Sequence, residues 1–281
     1  MPVMKETSVD LYFFSGAGNT LLAAMHVAEA LRGGGVEVRM HRLEKGTPSP
    51  AEGAALGVAV TTACFSTYPF AWEALRGLPD GAGRSAFGIS TMAGYSGGLR
   101  GPLRALLEGK GYVPVGYAEF LMPTNYGNVE IPEEKNRARV AACRESAEKF
   151  ARRLMDGAAE WRRGGPLSPL FDLLGRRSSG PWRLMRRMYP LKVDDRKCIQ
   201  CGRCVRLCPT GNIVMNGYPR FLDRCVVCQR CFAFCPTGAI NVPGKSYRQY
   251  RAVEYETLTS SSLCGGPDQA DGQAVQLEGR R

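Results

Sequence analysis

Eight cysteines between Cys198 and Cys235 fall in two runs of identical spacing, each reading Cys-x2-Cys-x2-Cys-x3-Cys-Pro. The second run begins 27 residues after the first, and at this offset 10 of the 20 positions from 198 to 217 match those from 225 to 244. Arg203 and Arg230 form one of the matched pairs outside the cysteines. Because thiolates at this spacing are ligands of 4Fe–4S clusters, the repeat predicts two such clusters.

The fourth cysteine of each run is set apart by a longer spacer and is followed by proline. Three cysteines in one tight loop can bind three irons of a cubane, and the fourth then serves the other cluster. The predicted ligand sets are Cys198, Cys201, Cys204 and Cys235 for one cluster, and Cys208, Cys225, Cys228 and Cys231 for the other. Zinc is the alternative for four thiolates, but it needs neither a third cysteine at this spacing nor a doubled Cys-Pro. The pattern resembles the bacterial two-cluster ferredoxins.

Charge is distributed unevenly along the 281 residues. The first 150 residues are neutral, residues 151–192 carry a net charge of +7, and residues 193–245 carry +5. Part of this basicity offsets the negative charge of thiolate-bound clusters, and the remainder predicts an acidic docking surface on a separate redox protein. Nucleic acid is the other partner that a basic chain suggests, but no binding motif for it accompanies the charge.

Neither a signal peptide nor a membrane span is predicted. Asp10 interrupts the only apolar run near the N-terminus, and glycine-rich sequence follows it. No stretch approaches the roughly 18 apolar residues that a span requires. The expected location is therefore cytoplasmic, which suits oxidation-sensitive clusters and disfavours a disulfide framework.

A second candidate site follows the first predicted strand, over residues 9–14. The segment Ser15-Gly16-Ala17-Gly18-Asn19-Thr20 leads into a predicted helix over 21–31, which is the layout of a phosphate-binding turn. No lysine is present for a Walker A loop, and Leu21 stands where a dinucleotide fingerprint needs Gly or Ala. The segment resembles the phosphate loop of the flavodoxins, which implies FMN. Ala17 departs from that motif, where Thr is usual, and one lost hydrogen bond to a charged group costs about 1.5–3 kcal/mol.

The rest of the first 160 residues alternates between strand-like and helix-like stretches. The further predicted strands are 36–41, 55–62, 86–91 and 113–121, and the further predicted helices are 69–78, 101–109 and 133–161. This alternation predicts an α/β fold, a doubly wound parallel sheet with helices on both faces. In the flavodoxin-like strand order 2-1-3-4-5, a ligand binds outside the carboxyl ends of strands 1, 3 and 4. The loops there are 15–20, 62–69 and 92–98.

Aromatic residues and a glycine in the second and third of these loops are candidate flavin contacts. Phe65 and Tyr68 lie in the second loop, and Tyr95 and Gly97 lie in the third. Aromatic rings could cover the faces of a flavin, while glycine lets backbone amides reach its polar edge. The alternative is that each ring packs on its own loop.

Three cysteines lie outside the repeat. Cys143 falls on the apolar stripe of the last helix and is predicted to be core. Cys64 lies in the second loop, where a small buried residue is favoured over a ligand contact. Cys264 belongs to the polar tail. His26 and His41 are too isolated in the sequence to suggest a haem or zinc site.

The sequence predicts four regions. They are a flavodoxin-like domain over 1–161, a basic connector over 162–190, a small α+β ferredoxin-like domain over 191–245, and a polar, partly disordered tail over 246–281. Within the connector, residues 182–189 predict a basic amphipathic helical turn. Such a helix can lie on a membrane surface, but packing on the protein's own domains is favoured.

The two halves in this order, with Met122-Pro123-Thr124-Asn125-Tyr126 after the fifth strand, resemble the flavodoxin-domain-containing two-cluster ferredoxins found mostly in anaerobes. The resemblance implies two 4Fe–4S clusters, FMN and electron transfer to a separate redox protein. One alternative is an FMN-dependent reductase of a small substrate, in which the clusters transfer electrons within the chain to the flavin. Another is a ferredoxin on a flavodoxin-like scaffold that has lost FMN. The carrier is favoured over the enzyme, because the candidate proton donors Tyr68, Tyr95 and Cys64 are not convincing acids.

Overall fold

The first half of the chain is built on a parallel five-stranded sheet in the order β2-β1-β3-β4-β5. The computed structural model describes residues 3–95, 98–126, 132–163 and 180–260. The strands are β1 (Ser8–Phe13), β2 (Glu37–Arg42), β3 (Ala55–Thr61), β4 (Ser85–Met92) and β5 (Val113–Leu121). The helices between and after them are α1 (Asn19–Gly33), α2 (Pro69–Arg76), α3 (Arg100–Gly109) and α4 (Glu133–Met155). The predicted flavodoxin-like fold is confirmed.

Helices cover both faces of this sheet, so its central strands are mostly apolar. β1, β3 and β4 are buried at nearly every residue, as expected for parallel strands packed on two sides. On one face α1 and α4 pack around Phe13, Leu21 and Phe87. On the other face α2 and α3 pack around Tyr12 and Trp72.

Helix α4 is shorter than the sequence predicts, ending at Met155 rather than continuing to Trp161. The cause is Gly157, whose φ of +66° is a left-handed conformation that ends helices. Beyond it the chain turns back to the sheet, and the N–H of Tyr117 donates to the carbonyl of Glu160 at 3.0 Å. The Trp161 ring then lies 5.0 Å from that of Tyr117.

Asp10, which interrupts the apolar run of β1, is a buried carboxylate with several hydrogen bonds. Arg39 donates to both of its oxygens, at 2.9 and 3.0 Å, and His41 Nε2 lies 2.7 Å from Oδ1. The backbone N–H of Ala51 donates to Oδ2 at 2.8 Å. Burial opposes the charged form, but these hydrogen bonds outweigh it and hold the pKa of Asp10 well below its usual range. Asp10 and His41 thus form a structural network at one edge of the sheet.

The second half contains short helices and two small antiparallel sheets, β6 with β9 and β7 with β8. Its helices are α5 (Gly180–Met188), α6 (Arg203–Leu207), α7 (Arg230–Ala233) and α8 (Tyr255–Thr259). Its strands are β6 (Lys192–Val193), β7 (Ile213–Asn216), β8 (Tyr218–Phe221) and β9 (Ile240–Asn241). α6 and α7 are the repeat-related pair, and each follows a residue in the left-handed conformation, Gly202 or Gln229.

The two halves share apolar cores at the carboxyl edge of the large sheet. Leu207, Ala233 and Phe234 belong to the same core as Phe13 and Leu21. Val226 and Cys228 belong to the core on the opposite face. The second half therefore covers the loops that follow β1 and β3.

The chain after residue 245, predicted as a polar and partly disordered tail, packs on the first half over the part that the structure describes. Within 246–260, α8 buries Leu258 against α1 and α4, and the N–H of Ala252 donates to the carbonyl of Ala17 at 2.8 Å. Residues 261–281, which include Cys264, lie outside the described residues. Among the helices that the structure describes, none is both long and apolar enough to cross a membrane.

Candidate metal centres and the glycine-rich loop

The eight cysteines of the repeat line two separate cavities. Cys198, Cys201, Cys204 and Cys235 line one of them, here named the exposed cavity because Cys201 is open to solvent. Cys208, Cys225, Cys228 and Cys231 line the other, here named the buried cavity because Cys228 and Cys231 are buried. Each cavity thus contains three cysteines of one run and the last cysteine of the other.

The local backbone explains this grouping. The first three cysteines of each run surround a short helix, α6 or α7, that begins at a left-handed residue. The Cys-Pro that follows ends the helix, and the chain then runs to the opposite cavity. The repeat is reproduced down to one detail: the Sγ atoms of Cys208 and Cys235 lie 3.6 and 3.8 Å from the hydroxyls of Thr210 and Thr237.

Burial makes the more deeply buried of these thiols poor acids. It raises the pKa of Cys204 to about 11 and that of Cys228 to about 12. A thiolate ligand must be deprotonated, so the positive charge of bound iron has to offset this desolvation. Backbone N–H groups help, since that of Asn212 donates to Cys208 Sγ at 3.2 Å and that of Val227 to Cys225 Sγ at 3.3 Å.

Arg230 connects the buried cavity to the glycine-rich loop of the first half. Its Nε and Nη2 donate to the carbonyl of Ser15 at 3.0 and 2.6 Å, and its Nη1 donates to Glu44 Oε1 at 2.7 Å. The guanidinium lies 4.5 Å from the centre of the Phe14 ring. Both members of the ion pair are buried, with the side chains of Arg230 and Glu44 4% and 6% exposed. The repeat-related Arg203 differs, because its guanidinium stacks 4.1 Å over the ring of Tyr255.

The sequence-predicted glycines of this loop lie against the chain's own second half. A Cβ atom on Gly16 would lie 2.2 Å from the carbonyl oxygen of Cys228. Gly18 has a φ of +98°, and a Cβ atom there would lie 2.9 Å from the backbone nitrogen of Val253. Both positions therefore need glycine for close packing of the two halves, which the sequence alone did not reveal.

The polar groups of the loop include features of a phosphate site. The Ser15 hydroxyl is buried and has no hydrogen-bond partner within the described residues, and no side chain there caps the N-terminus of α1. Both features suit an anion. The Thr20 hydroxyl lies 2.8 and 2.7 Å from those of Thr61 and Thr91 at the carboxyl ends of β3 and β4, and its predicted contact with a phosphate stays a prediction. The loop thus fits a phosphate through Ser15 and backbone N–H groups.

Asn19 is occupied by structural contacts. Its Nδ2 donates to the carbonyl of Pro123 at 2.8 Å, and its Oδ1 accepts from the Tyr250 hydroxyl at 2.7 Å. It therefore ties the loop to the segment after β5 and to the chain beyond residue 245. Tyr126 makes a further link, since its ring lies 4.8 Å from that of Tyr189.

The candidate flavin contacts differ in how far they are buried. Tyr68 is 1% exposed, and its ring lies 5.3 Å from Phe14, 5.7 Å from Phe70 and 5.5 Å from Trp182. Tyr68 is therefore a core residue, although the sequence places it among the aromatic residues of the second loop. Phe65 and Tyr95 are 54% and 67% exposed.

The predicted third-loop contact, Gly97, lies outside the described residues. Cys143 is buried in the core, as predicted. Cys64 is partly buried in a tight turn, where both it and Phe65 have positive φ. Burial raises the pKa of Cys64 to about 11.

The connector helix α5 packs on the protein itself. Trp182 and Tyr189 are buried, and Arg186 Nη1 donates to the carbonyl of Cys225 at 3.1 Å. Met188 in the same helix is 57% exposed. These contacts agree with the favoured interpretation of this helix as a packing element.

The fold and the two cavities define a class: a flavodoxin-like domain joined to an iron–sulfur cluster domain, a combination that supports electron transfer. Residues 197–240 match the family model described as a 4Fe-4S dicluster domain. No curated protein matched the chain in a sequence comparison.

Solved structures similar to this chain include a flavodoxin from the domain Archaea, at 14% identity and a TM-score of 0.36 over 52% of this chain and 98% of that one. The flavodoxin of Megasphaera elsdenii is 19% identical, with a TM-score of 0.36 over 51% of this chain and 98% of its own. Rubredoxin oxygen:oxidoreductase from Desulfovibrio gigas is 20% identical, with a TM-score of 0.35 over 55% of this chain and 37% of its own.

Proposed function

We propose that this protein is an electron carrier whose two 4Fe–4S clusters pass electrons between the flavodoxin-like half and a separate redox protein. The observation that carries the proposal is the pair of cavities, each lined by four cysteines with cluster-ligand spacing. Membership of the flavodoxin-domain-containing two-cluster ferredoxins is part of the same proposal.

The proposed ligands interleave between the two runs of the repeat. Pairs of cysteine substitutions test this, because removing two ligands of one cluster spares the other. On the proposed ligation, Cys208→Ala with Cys225→Ala leaves about four irons per chain, whereas Cys208→Ala with Cys198→Ala damages both clusters. If each run held its own cluster, the second pair would be the one that leaves four irons.

FMN is the further cofactor that this proposal includes. FMN exchanges one or two electrons, so it would join one-electron clusters to two-electron partners. Its phosphate would be held by the buried Ser15 hydroxyl and the N-terminus of α1. The second half covers the glycine-rich loop, so its residues would exclude bulk water from the position of the phosphate.

The carrier is favoured over a reductase with its own small-molecule substrate. A reductase needs a proton donor beside an open pocket. Tyr68 is enclosed by three aromatic rings, and burial raises its pKa well above the usual value. Cys64, with a pKa of about 11, is likewise a weak acid. Tyr95 is exposed on a loop.

The partner is proposed to dock at the exposed cavity. Cys201 and Ile199 are open to solvent there, so a cluster in this cavity lies closest to an approaching protein. Arg206 is exposed beside it, where its Nη1 donates to the carbonyl of Cys201 at 3.2 Å, and its charge favours an acidic partner surface.

One preparation tests the cofactor content. The chain is purified anaerobically, and iron, acid-labile sulfide and released flavin are measured per polypeptide. About eight irons and eight sulfides with one FMN are expected. Iron without flavin would leave the ferredoxin on an empty flavodoxin-like scaffold, and stoichiometric zinc would overturn the proposal.

A further inference from the structure

The buried cavity carries two side-chain amides that have no counterpart in the exposed cavity. Asn212 and Gln229 line the buried cavity together with its four cysteines. At the 27-residue offset of the repeat, Gln229 corresponds to Gly202 and Asn212 corresponds to Ala239. Gly202 and Ala239 line the exposed cavity. At these two positions of the internal repeat, only the buried cavity has side chains with N–H donors.

Both amides are buried without a hydrogen-bond partner in the part of the chain that the structure describes. Asn212 is 1% exposed and Gln229 is 2% exposed. Neither Nδ2 of Asn212 nor Nε2 of Gln229 has an acceptor there. A buried polar group without a hydrogen-bond partner is destabilising, so each amide nitrogen needs an acceptor that the described protein atoms do not supply.

The backbone at Gln229 adds to this cost. Gln229 has φ 64° and ψ 4°, nearly the same left-handed conformation as Gly202 at φ 69° and ψ 0°. Glycine adopts this conformation without penalty, whereas it is unfavourable for a residue with a Cβ atom. The buried cavity thus holds a glutamine where its repeat partner holds the less costly residue.

We propose that Asn212 and Gln229 donate N–H···S hydrogen bonds to the cluster in the buried cavity and raise its reduction potential. This inference rests on the proposed clusters. The sulfurs of a cluster or of its thiolate ligands are the acceptors that the cavity would bring to these amides. On reduction the cluster gains one electron from the donor, no proton moves, and its sulfurs become more negative. The hydrogen bonds therefore stabilise the reduced form more than the oxidised form.

These amides also oppose the effect of burial. A low-dielectric site disfavours the more negatively charged, reduced cluster, which lowers its potential relative to a solvent-exposed one. Amide donors act in the other direction, and they are present only where burial is greater. Their role is to keep the buried cluster reducible by its exposed neighbour.

The test exchanges the residues between the two cavities. Gln229→Gly with Asn212→Ala gives the buried cavity the residues of the exposed one, and Gly202→Gln with Ala239→Asn does the reverse. A Cβ atom at position 202 would lie 3.0 Å from Arg206 Nη1, the end of a flexible side chain. Iron, sulfide and flavin are measured first, so that a failure of the proposed clusters is recognised before any potential is compared. Both cluster potentials are then measured by redox titration followed by electron paramagnetic resonance.

The first pair of substitutions is expected to shift one potential to a more negative value and leave the other unchanged. The second pair is expected to shift the other potential to a more positive value. Unchanged potentials in chains with about eight irons would overturn the inference, as would both pairs moving the same potential. Where a variant loses iron, Gln229→Met or Asn212→Leu keeps the side-chain volume without the N–H donor, and the same negative shift is required.

Discussion

The ion pair between Arg230 and Glu44 is expected to control how firmly the two halves of the molecule are joined. Replacing Arg230 by Met keeps an unbranched side chain of similar length but removes the guanidinium. The variant would leave a charged Glu44 carboxylate 6% exposed without its partner, and the carbonyl of Ser15 without two donors. Breaking a buried ion pair by removing one partner costs about 3–5 kcal/mol, which is about two to four orders of magnitude in an equilibrium constant.

Unfolding rates are the suitable measurement, because loss of a cluster makes unfolding irreversible. The bleaching of cluster absorbance is followed in urea under anaerobic conditions for four proteins: the parent chain, Arg230→Met, Glu44→Gln and the double variant. Arg230→Met is expected to unfold about two orders of magnitude faster than the parent. The double variant should be slower than Arg230→Met, because it no longer buries an unpaired charge.

Arg203→Met is the matched control, since it removes the repeat-related arginine. The Arg203 guanidinium stacks on the Tyr255 ring, and removing this contact should lower stability by about 1 kcal/mol or less. The reasoning is refuted if Arg230→Met and Arg203→Met unfold at the same rate, or if the double variant is the least stable of the four.

Two further predictions concern the glycine-rich loop and the network at β1. Gly16→Ala should lower the free energy of unfolding by about 1–3 kcal/mol, because its Cβ atom would lie 2.2 Å from the Cys228 carbonyl oxygen. Gly109→Ala is the control, since a Cβ atom there meets open space and should not destabilise the fold. The urea midpoints of the two variants are compared. Asp10→Asn should cost about 3 kcal/mol at pH 7, with Glu37→Gln as the exposed control. Because folding lowers the pKa of Asp10, its contribution is full above its unfolded pKa of about 3.9 and is lost as pH falls toward the folded value, so the gap between parent and Asp10→Asn should close in acid. A gap that is independent of pH would contradict this account.

The sheet and the spacing of the cysteines were predictable because both depend on short-range patterns. Apolar strands alternating with helices predict the parallel sheet, and the cysteine repeat predicts which thiols lie together. The end of α4 was missed for a local reason, since the left-handed Gly157 stops a helix that composition alone would extend.

Long-range contacts could not be predicted in this way. The match of Arg203 with Arg230 was visible in the sequence, but nothing there indicates that one pairs with Glu44 and the other stacks on Tyr255. Tyr68 is a core residue because Trp182, more than 100 residues later, packs on its ring. Thr20 bonds to the ends of β3 and β4, which only the folded sheet brings near α1.

The place of Cys228 in the apolar core has a consequence for how the protein is made. Cys228 packs in the same core as Phe14 and Tyr68, and its carbonyl lies against Gly16. On the proposed ligation, iron and sulfide must reach this thiol before the second half settles on the sheet, because the closed arrangement buries it. Assembly therefore has an order, with cluster delivery first and closure second. In an iron-starved cell, the newly made chain would keep the carboxyl edge of its sheet uncovered and present that apolar surface to proteases and chaperones.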